Sequence, residues 1–137
     1  MAYAVLATID FCYGHRILGH DGPCRHLHGH NARVEIVVSR AALDPLGMVC
    51  DFRTVKQAMK QWIDTHLDHR MVLATNDPLV PLLQQHQEPL YLLATPPTAE
   101  TLAYELFTQA RALGLSVTEV RLWETPSSCA MYRAGAD

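Results

Sequence analysis

The sequence predicts an α+β domain in which two long helices cover one face of an antiparallel four-stranded sheet. Three observations carry this: alternating apolar residues near both ends of the chain, two stretches of helical periodicity between them, and turn chemistry at the joins. With 137 residues the chain is the size of one domain, 1–137, and can bury a core without disulfides. No repeat, low-complexity tract or linker divides it.

Residues 3–11 alternate, placing Val5, Ala7, Ile9 and Phe11 on one side of a first strand. The Gly-, His- and Cys-rich stretch from Cys12 to Gly29 follows neither period and reads as a loop. Residues 30–39 form a second strand, with Ala32, Val34, Ile36 and Val38 aligned. After the turn residues Leu43–Gly47, Asp51 is placed to cap a helix over about 52–66, whose apolar face is Phe52, Val55, Met59, Trp62 and Ile63. A short helical turn follows Asp77-Pro78. Pro97-Thr98-Ala99-Glu100 opens a second long helix that runs to about Leu113, with Leu102, Leu106, Ala110 and Leu113 as its stripe and Gly114 as its stop. Residues 116–124 and 129–133 close the chain as strands.

Nearly half of the residues are apolar (49%) and 18% are charged, as in globular proteins. The net charge of −3, with lysine only at positions 56 and 60, argues against nucleic acid as a partner. Residues 1–10 carry no basic, apolar leader pattern, and no apolar run approaches the roughly 18 residues that span a bilayer. Four scattered cysteines without a C-x-x-C pair read as reduced thiols, so the expectation is a cytoplasmic protein with no membrane partner.

Five of the eight histidines fall between His15 and His30. The tightest segment, Cys24-Arg-His-Leu-His28-Gly-His30, leads into the second strand, where residues two apart share a side. His28 and His30 therefore aim at one point, with Gly29 leaving room between them. Zinc favours nitrogen ligands, and a catalytic site has three protein ligands and an open place. His15 is the third candidate, because it follows the first strand and an adjacent antiparallel strand end would bring it close. The alternative is a structural site using Cys12 or Cys24 with two histidines, although the spacing matches no standard finger. The hydrolytic signatures H-E-x-x-H and H-x-E…P-C-x-x-C are both missing.

Six ordered segments resemble the family of 6-pyruvoyl- and 6-carboxytetrahydropterin synthases: Phe11-Cys-Tyr-Gly-His15-Arg16, Cys24-x-x-x-His28-Gly-His30-Asn31, Gly47-Met-Val-Cys-Asp51-Phe52, Leu67-Asp68-His69, Pro97-Thr98-Ala-Glu100 and Glu124-Thr125. The resemblance implies a tunnelling fold, in which subunits pair their sheets into a barrel, assembled as a homo-oligomer and usually a hexamer. It implies a pterin triphosphate substrate, 7,8-dihydroneopterin triphosphate. It further implies that His15, His28 and His30 bind Zn2+, that Cys24 abstracts a proton, that Asp68 and His69 form a relay, and that Glu124 anchors the pterin ring with help from Thr98. The chain departs from the family at Tyr13-Gly14, where many members have two small residues, and after His69, where the sequence runs Arg-Met-Val-Leu.

The residues support this chemistry independently. Zinc in an open site polarises a hydroxyl and the carbonyl it becomes. A cysteine with a reference pKa near ~8.5 gains thiolate beside a cation, so Cys24 suits a base; its other readings are a fourth zinc ligand or an inert thiol. His69 is the natural partner for a thiol, because a histidine suits proton transfer near neutral pH. Asp68 can orient it only if the segment is a turn, because neighbours on a regular strand face opposite ways; the alternative is a solvent-facing polar turn. Glu124 shares parity with Thr118, Val120 and Leu122, and a carboxylate on that apolar side needs partners. The pterin amino group and ring N–H offer two parallel donors; an ion pair with Arg121 or Arg133 is the alternative. His20, His26, Arg16 and Arg25 are candidates for the triphosphate or for loop exposure. The short spacing from Cys24 to His28 resembles that of the bacterial-type members of the family, and this resemblance implies the carboxy-forming lyase, which releases acetaldehyde and triphosphate in queuosine biosynthesis. The pyruvoyl-forming synthase and a non-catalytic zinc-containing pterin binder are the alternatives.

Overall fold

The computed structural model describes residues 3–135, so the expected domain 1–137 has its first two and last two residues outside the described range. Strands β1 (Tyr3–His15) and β2 (His28–Arg40) form the centre of one sheet and run antiparallel, in register from Tyr3↔Arg40 to His15↔His28. Both are longer than the sequence predicts. The alternation of β1 continues through Tyr13 and His15, which are 3% and 2% exposed, so the irregular segment shrinks to residues 16–27.

Helix α1 (Phe52–His66) starts as expected at Asp51, whose side chain accepts the Arg53 amide at 2.8 Å. Val55, Met59 and Ile63 are fully buried against the sheet, whereas Phe52, on the first turn, is half exposed and does not join the core stripe. After β3 (Arg70–Ala74), α2 (Leu79–Gln85) and β4 (Leu90–Leu93), helix α3 (Ala99–Ala112) buries Leu102, Leu106 and Ala110 together with Ala103 and Phe107. Leu113, expected in that stripe, is exposed at the helix end, where Gly114 at φ +87° lets the Leu115 amide reach back to the Ala110 carbonyl. Strands β5 (Val117–Thr125) and β6 (Ser128–Arg133) complete the chain.

The expected antiparallel four-stranded sheet is instead a mixed six-stranded one, in the order β4-β3-β1-β2-β5-β6. β1, β3 and β4 pair in parallel, and the other neighbours are antiparallel. β3 and β4 escape a sequence reading for a physical reason. They are short, and Val72, Leu73 and Ala74 are buried in succession, so the run carries no period of two.

The core lies between α1, α3 and one face of the sheet, with Ala7, Ile9, Phe11, Val34, Ile36, Val120 and Leu122 beneath the helices. The other face carries Asp10, Cys12, Arg33, Glu35 and Trp123 along a groove of about 1000 Å³.

Candidate active site

The β1–β2 register builds the site. His15 stands directly opposite His28, and Tyr13 opposite His30. Opposed residues of an antiparallel pair share a face, and so do residues two apart along each strand. Four rings therefore project to the helix side at one end of the sheet, where the apolar core gives way to polar groups. The His15 ring centroid lies 4.5 Å from that of His28 and 5.1 Å from that of His30.

The three imidazoles bring ligand atoms within 4.8 Å of one another. His15 Nδ1 donates to the Pro97 carbonyl at 2.7 Å, and His28 Nδ1 donates to the His26 carbonyl at 2.7 Å. Each bond fixes the ring and directs Nε2 inward, as backbone carbonyls do for metal-binding histidines. His15 Nε2 and His30 Nε2 are 3.1 Å apart. Ligand atoms at about 2.0–2.1 Å from a tetrahedral ion stand roughly 3.3 Å from each other, so the expected metal fits these residues. Burial lowers the pKa of His30 and favours the neutral imidazole that a metal requires.

Glu124, near the end of β5, reaches the same point. Its Oε2 lies 3.2 Å from His15 Nε2 and 3.1 Å from His30 Nε2, and accepts a hydrogen bond from the Tyr13 hydroxyl at 3.1 Å. The His15 hydrogen bond holds the Glu124 carboxyl below its ordinary range, while burial and the Glu124 charge push the Tyr13 phenol up. The arginine alternative for Glu124 is not what forms: Arg121 and Arg133 both pair with Glu119, and Arg121 also approaches Glu35 at 3.5 Å.

Asp68 and His69 lie in the turn between α1 and β3. His69 adopts φ +59°, and this left-handed step lets Asp68 Oδ2 accept from Nδ1 of its own neighbour at 2.8 Å. Asp68 Oδ1 accepts the Cys12 amide at 3.0 Å, which ties the turn to β1. Burial raises the Asp68 pKa, but the Cys12 and His69 hydrogen bonds together outweigh it and leave the carboxyl below its ordinary range. His69 lines a second groove of about 780 Å³ together with His28 and His30.

Cys24 sits on a single 3-10 turn (Pro23–Arg25), half-buried, and lines neither groove; the thiol grouped with Asp68 and His69 is that of Cys12. Thr98 caps α3, accepting the Thr101 amide at 3.2 Å, beside the Pro97 carbonyl that holds His15. Arg16 is engaged by buried Asp77 through bonds of 2.8 and 2.5 Å, and Arg25 donates to the Asp21 and Gly22 carbonyls. Sequence reasoning missed Tyr13, Pro97 and Asp77. Only Tyr13 left a signal, since extending the alternation by two residues places it on the core face.

The family model for 6-pyruvoyl tetrahydropterin synthase matches residues 4–135. The chain belongs to that family. A 6-carboxy-5,6,7,8-tetrahydropterin synthase of Rickettsia bellii is 36% identical over 126 residues, covering 87% of this chain and 91% of the relative. One from Haemophilus influenzae is 30% identical over 139 residues, covering 96% and 99%. These relatives carry the name of a lyase-type enzyme, and the expectation of an enzyme of that type is met. Among solved structures, an uncharacterized protein of Wolinella succinogenes aligns with TM-score 0.83 at 27% identity, covering 97% of this chain and 98% of its own. A Caenorhabditis elegans 6-pyruvoyl tetrahydropterin synthase shares the fold at TM-score 0.71 and 24% identity, covering 97% and 96%. No helix among the described residues is long and apolar enough to cross a membrane.

Proposed function

We propose that the chain is a zinc-dependent lyase that converts 7,8-dihydroneopterin triphosphate and water into 6-carboxy-5,6,7,8-tetrahydropterin, acetaldehyde and triphosphate, in the service of deazaguanine (queuosine) biosynthesis in the cytoplasm. The observation that carries this reading is the convergence of three imidazoles, two with Nδ1 bonded to backbone carbonyls, beside a half-buried carboxylate. His15, His28 and His30 hold the zinc, which supplies a Lewis acid for the hydroxyl and carbonyl groups of the substrate side chain.

The protein's own residues divide the remaining work. Glu124 accepts the amino group and ring N–H of the pterin, with Thr98 at the rim, and this pairing sets which side-chain carbon faces the bases. Cys24, which lines neither groove of the single chain, takes a proton from the side chain in the proposed assembly, where neighbouring subunits bring it to the substrate. His69, oriented by Asp68, accepts and returns protons as the triphosphate departs and the side chain is cleaved. The polar, helix-free face of the sheet is available for closure into a barrel, and the proposed assembly is a homo-oligomer, a hexamer.

Product analysis by mass spectrometry after incubating the zinc-loaded protein with freshly prepared 7,8-dihydroneopterin triphosphate tests the reading. 6-Carboxytetrahydropterin and acetaldehyde are the expected products, and Cys24→Ala is expected to abolish them while keeping zinc. A pyruvoyl product would make the chain a 6-pyruvoyltetrahydropterin synthase. Pterin binding without turnover would make it a non-catalytic binder.

A further inference from the structure

Glu124 Oε2 does more than sit near the histidines. It is 3.2 Å from His15 Nε2 and 3.1 Å from His30 Nε2, and those nitrogens are 3.1 Å from each other. Neighbouring ligands of a tetrahedral zinc are separated by roughly 3.3 Å. With respect to both imidazoles, the oxygen therefore holds the position of a ligand atom, not that of a group reserved for a substrate ring at a distance. One cation bound by all of these atoms accounts for the three separations together.

Tyr13 explains why the carboxylate rests there. Its ring is buried on the β1 face, with its centroid 5.1 Å from that of His15 and 5.7 Å from that of His30, and its hydroxyl donates to the same Oε2 at 3.1 Å. A small residue at this position would leave the carboxylate without that tether. Glu124 Oε1 has no hydrogen-bond partner among the described residues, and the side chain is 24% exposed. One oxygen is thus directed at the metal position while the other is open to an incoming donor.

We infer that Glu124 is a displaceable fourth ligand of the metal, held in place by Tyr13 as a positioning residue, so that the resting site is closed and pterin binding opens it. The inference rests on the metal reading above. A pterin presents two parallel donors. The first meets the free Oε1, and the second competes for Oε2 and draws the carboxylate away from the histidines. Recognition of the ring and opening of the fourth place then become one event, and water is kept from that place until the ring is seated.

Cobalt(II)-loaded protein tests this through its visible absorption during titration with thiocyanate, an anion that binds where a coordination place is open. Zinc affinity, measured by chelator competition, gives a second readout. In the wild type the band is expected to stay unmoved. In Glu124→Ala and in the shape-conserving Glu124→Gln it is expected to shift, with zinc affinity lowered about tenfold or more. Tyr13→Phe is expected to respond at thiocyanate concentrations between these. Unsubstituted pterin, which carries the ring with no side-chain hydroxyl to fill the opened place, is expected to make the wild type responsive. Equal thiocyanate response in wild type and both Glu124 variants, with equal zinc affinity, would overturn the inference and leave the metal reading intact. Failure of the wild type to take up cobalt or zinc would sink both.

Discussion

His15 Nδ1 donates to the carbonyl oxygen of Pro97 at 2.7 Å, joining the end of β1 to the entry of α3. Because His15 is 2% exposed, the bond settles the tautomer of a ring that has almost no freedom to turn. Replacing His15 by Ala removes a proposed ligand and leaves the Pro97 oxygen without its partner. Loss of a supporting hydrogen bond alone costs about 10–100-fold in metal affinity, and loss of the ligand is expected to cost more. Zinc per chain after dialysis, measured by atomic emission, is expected to fall from near one to near zero.

Asp68→Asn isolates the relay from the metal. The asparagine oxygen can still accept the Cys12 amide, but its amide nitrogen then faces His69 Nδ1, which no longer finds an acceptor. The imidazole loses its imposed orientation and tautomer. A fall in kcat of about 10²–10⁴-fold is expected, with zinc content unchanged. Triphosphate release under saturating substrate, beside metal analysis of the same sample, checks both halves.

The sequence discloses some of this architecture and hides the rest for identifiable reasons. Helix α1 is legible to the residue because Asp51 caps it and Val55, Met59 and Ile63 recur on one face. His28 and His30 are legible as a pair because a strand period of two needs no tertiary information. His15 is assigned to a loop because Gly14 and the Gly-, His- and Cys-rich residues after it mask the alternation, yet Gly14 pairs with Gly29 and the ladder continues to His15↔His28. The Asp68–His69 contact depends on a single left-handed φ at a non-glycine residue, which no residue pattern announces. The pairing of Arg16 with Asp77 spans 61 positions and depends on the parallel β1–β3 packing, itself unreadable from a five-residue buried strand.

That pair makes a prediction about acid stability. The Arg16 guanidinium, opposed by burial and assisted by the Leu79 amide, holds the Asp77 carboxyl below its ordinary range. The charged form is favoured in the folded chain, so the stabilisation is complete above the unfolded aspartate pKa near ~3.9 and disappears as pH falls through the lower folded value. Asp77→Asn, which leaves the largely buried Arg16 guanidinium without its carboxylate partner, is expected to cost about 3 kcal/mol at pH 7. Urea denaturation should show the difference between variant and wild type shrinking below about pH 4.

Gly29 tests how finely the histidine geometry is set. It lies between His28 and His30, opposite Gly14, and a Cβ placed there would stand 3.2 Å from the Tyr13 carbonyl oxygen. That oxygen is backbone and cannot swing aside, so Gly29→Ala must move β1 and β2 by a few tenths of an ångström at the point where His15 faces His28. Overpacking of this kind costs about 1–3 kcal/mol. The displacement also acts directly on the spacing of the nitrogens, for which a tetrahedral ion has a narrow tolerance. Zinc affinity is therefore expected to fall by about tenfold, alongside a lowered Tm in the zinc-free protein. A variant destabilised to the same extent by Val55→Ala, on the buried face of α1, is expected to keep wild-type zinc affinity, because Val55 is fully buried in the apolar core and is none of the proposed ligands. Equal affinity loss in the two variants would show that general loosening, not the Gly29 clearance, governs the metal.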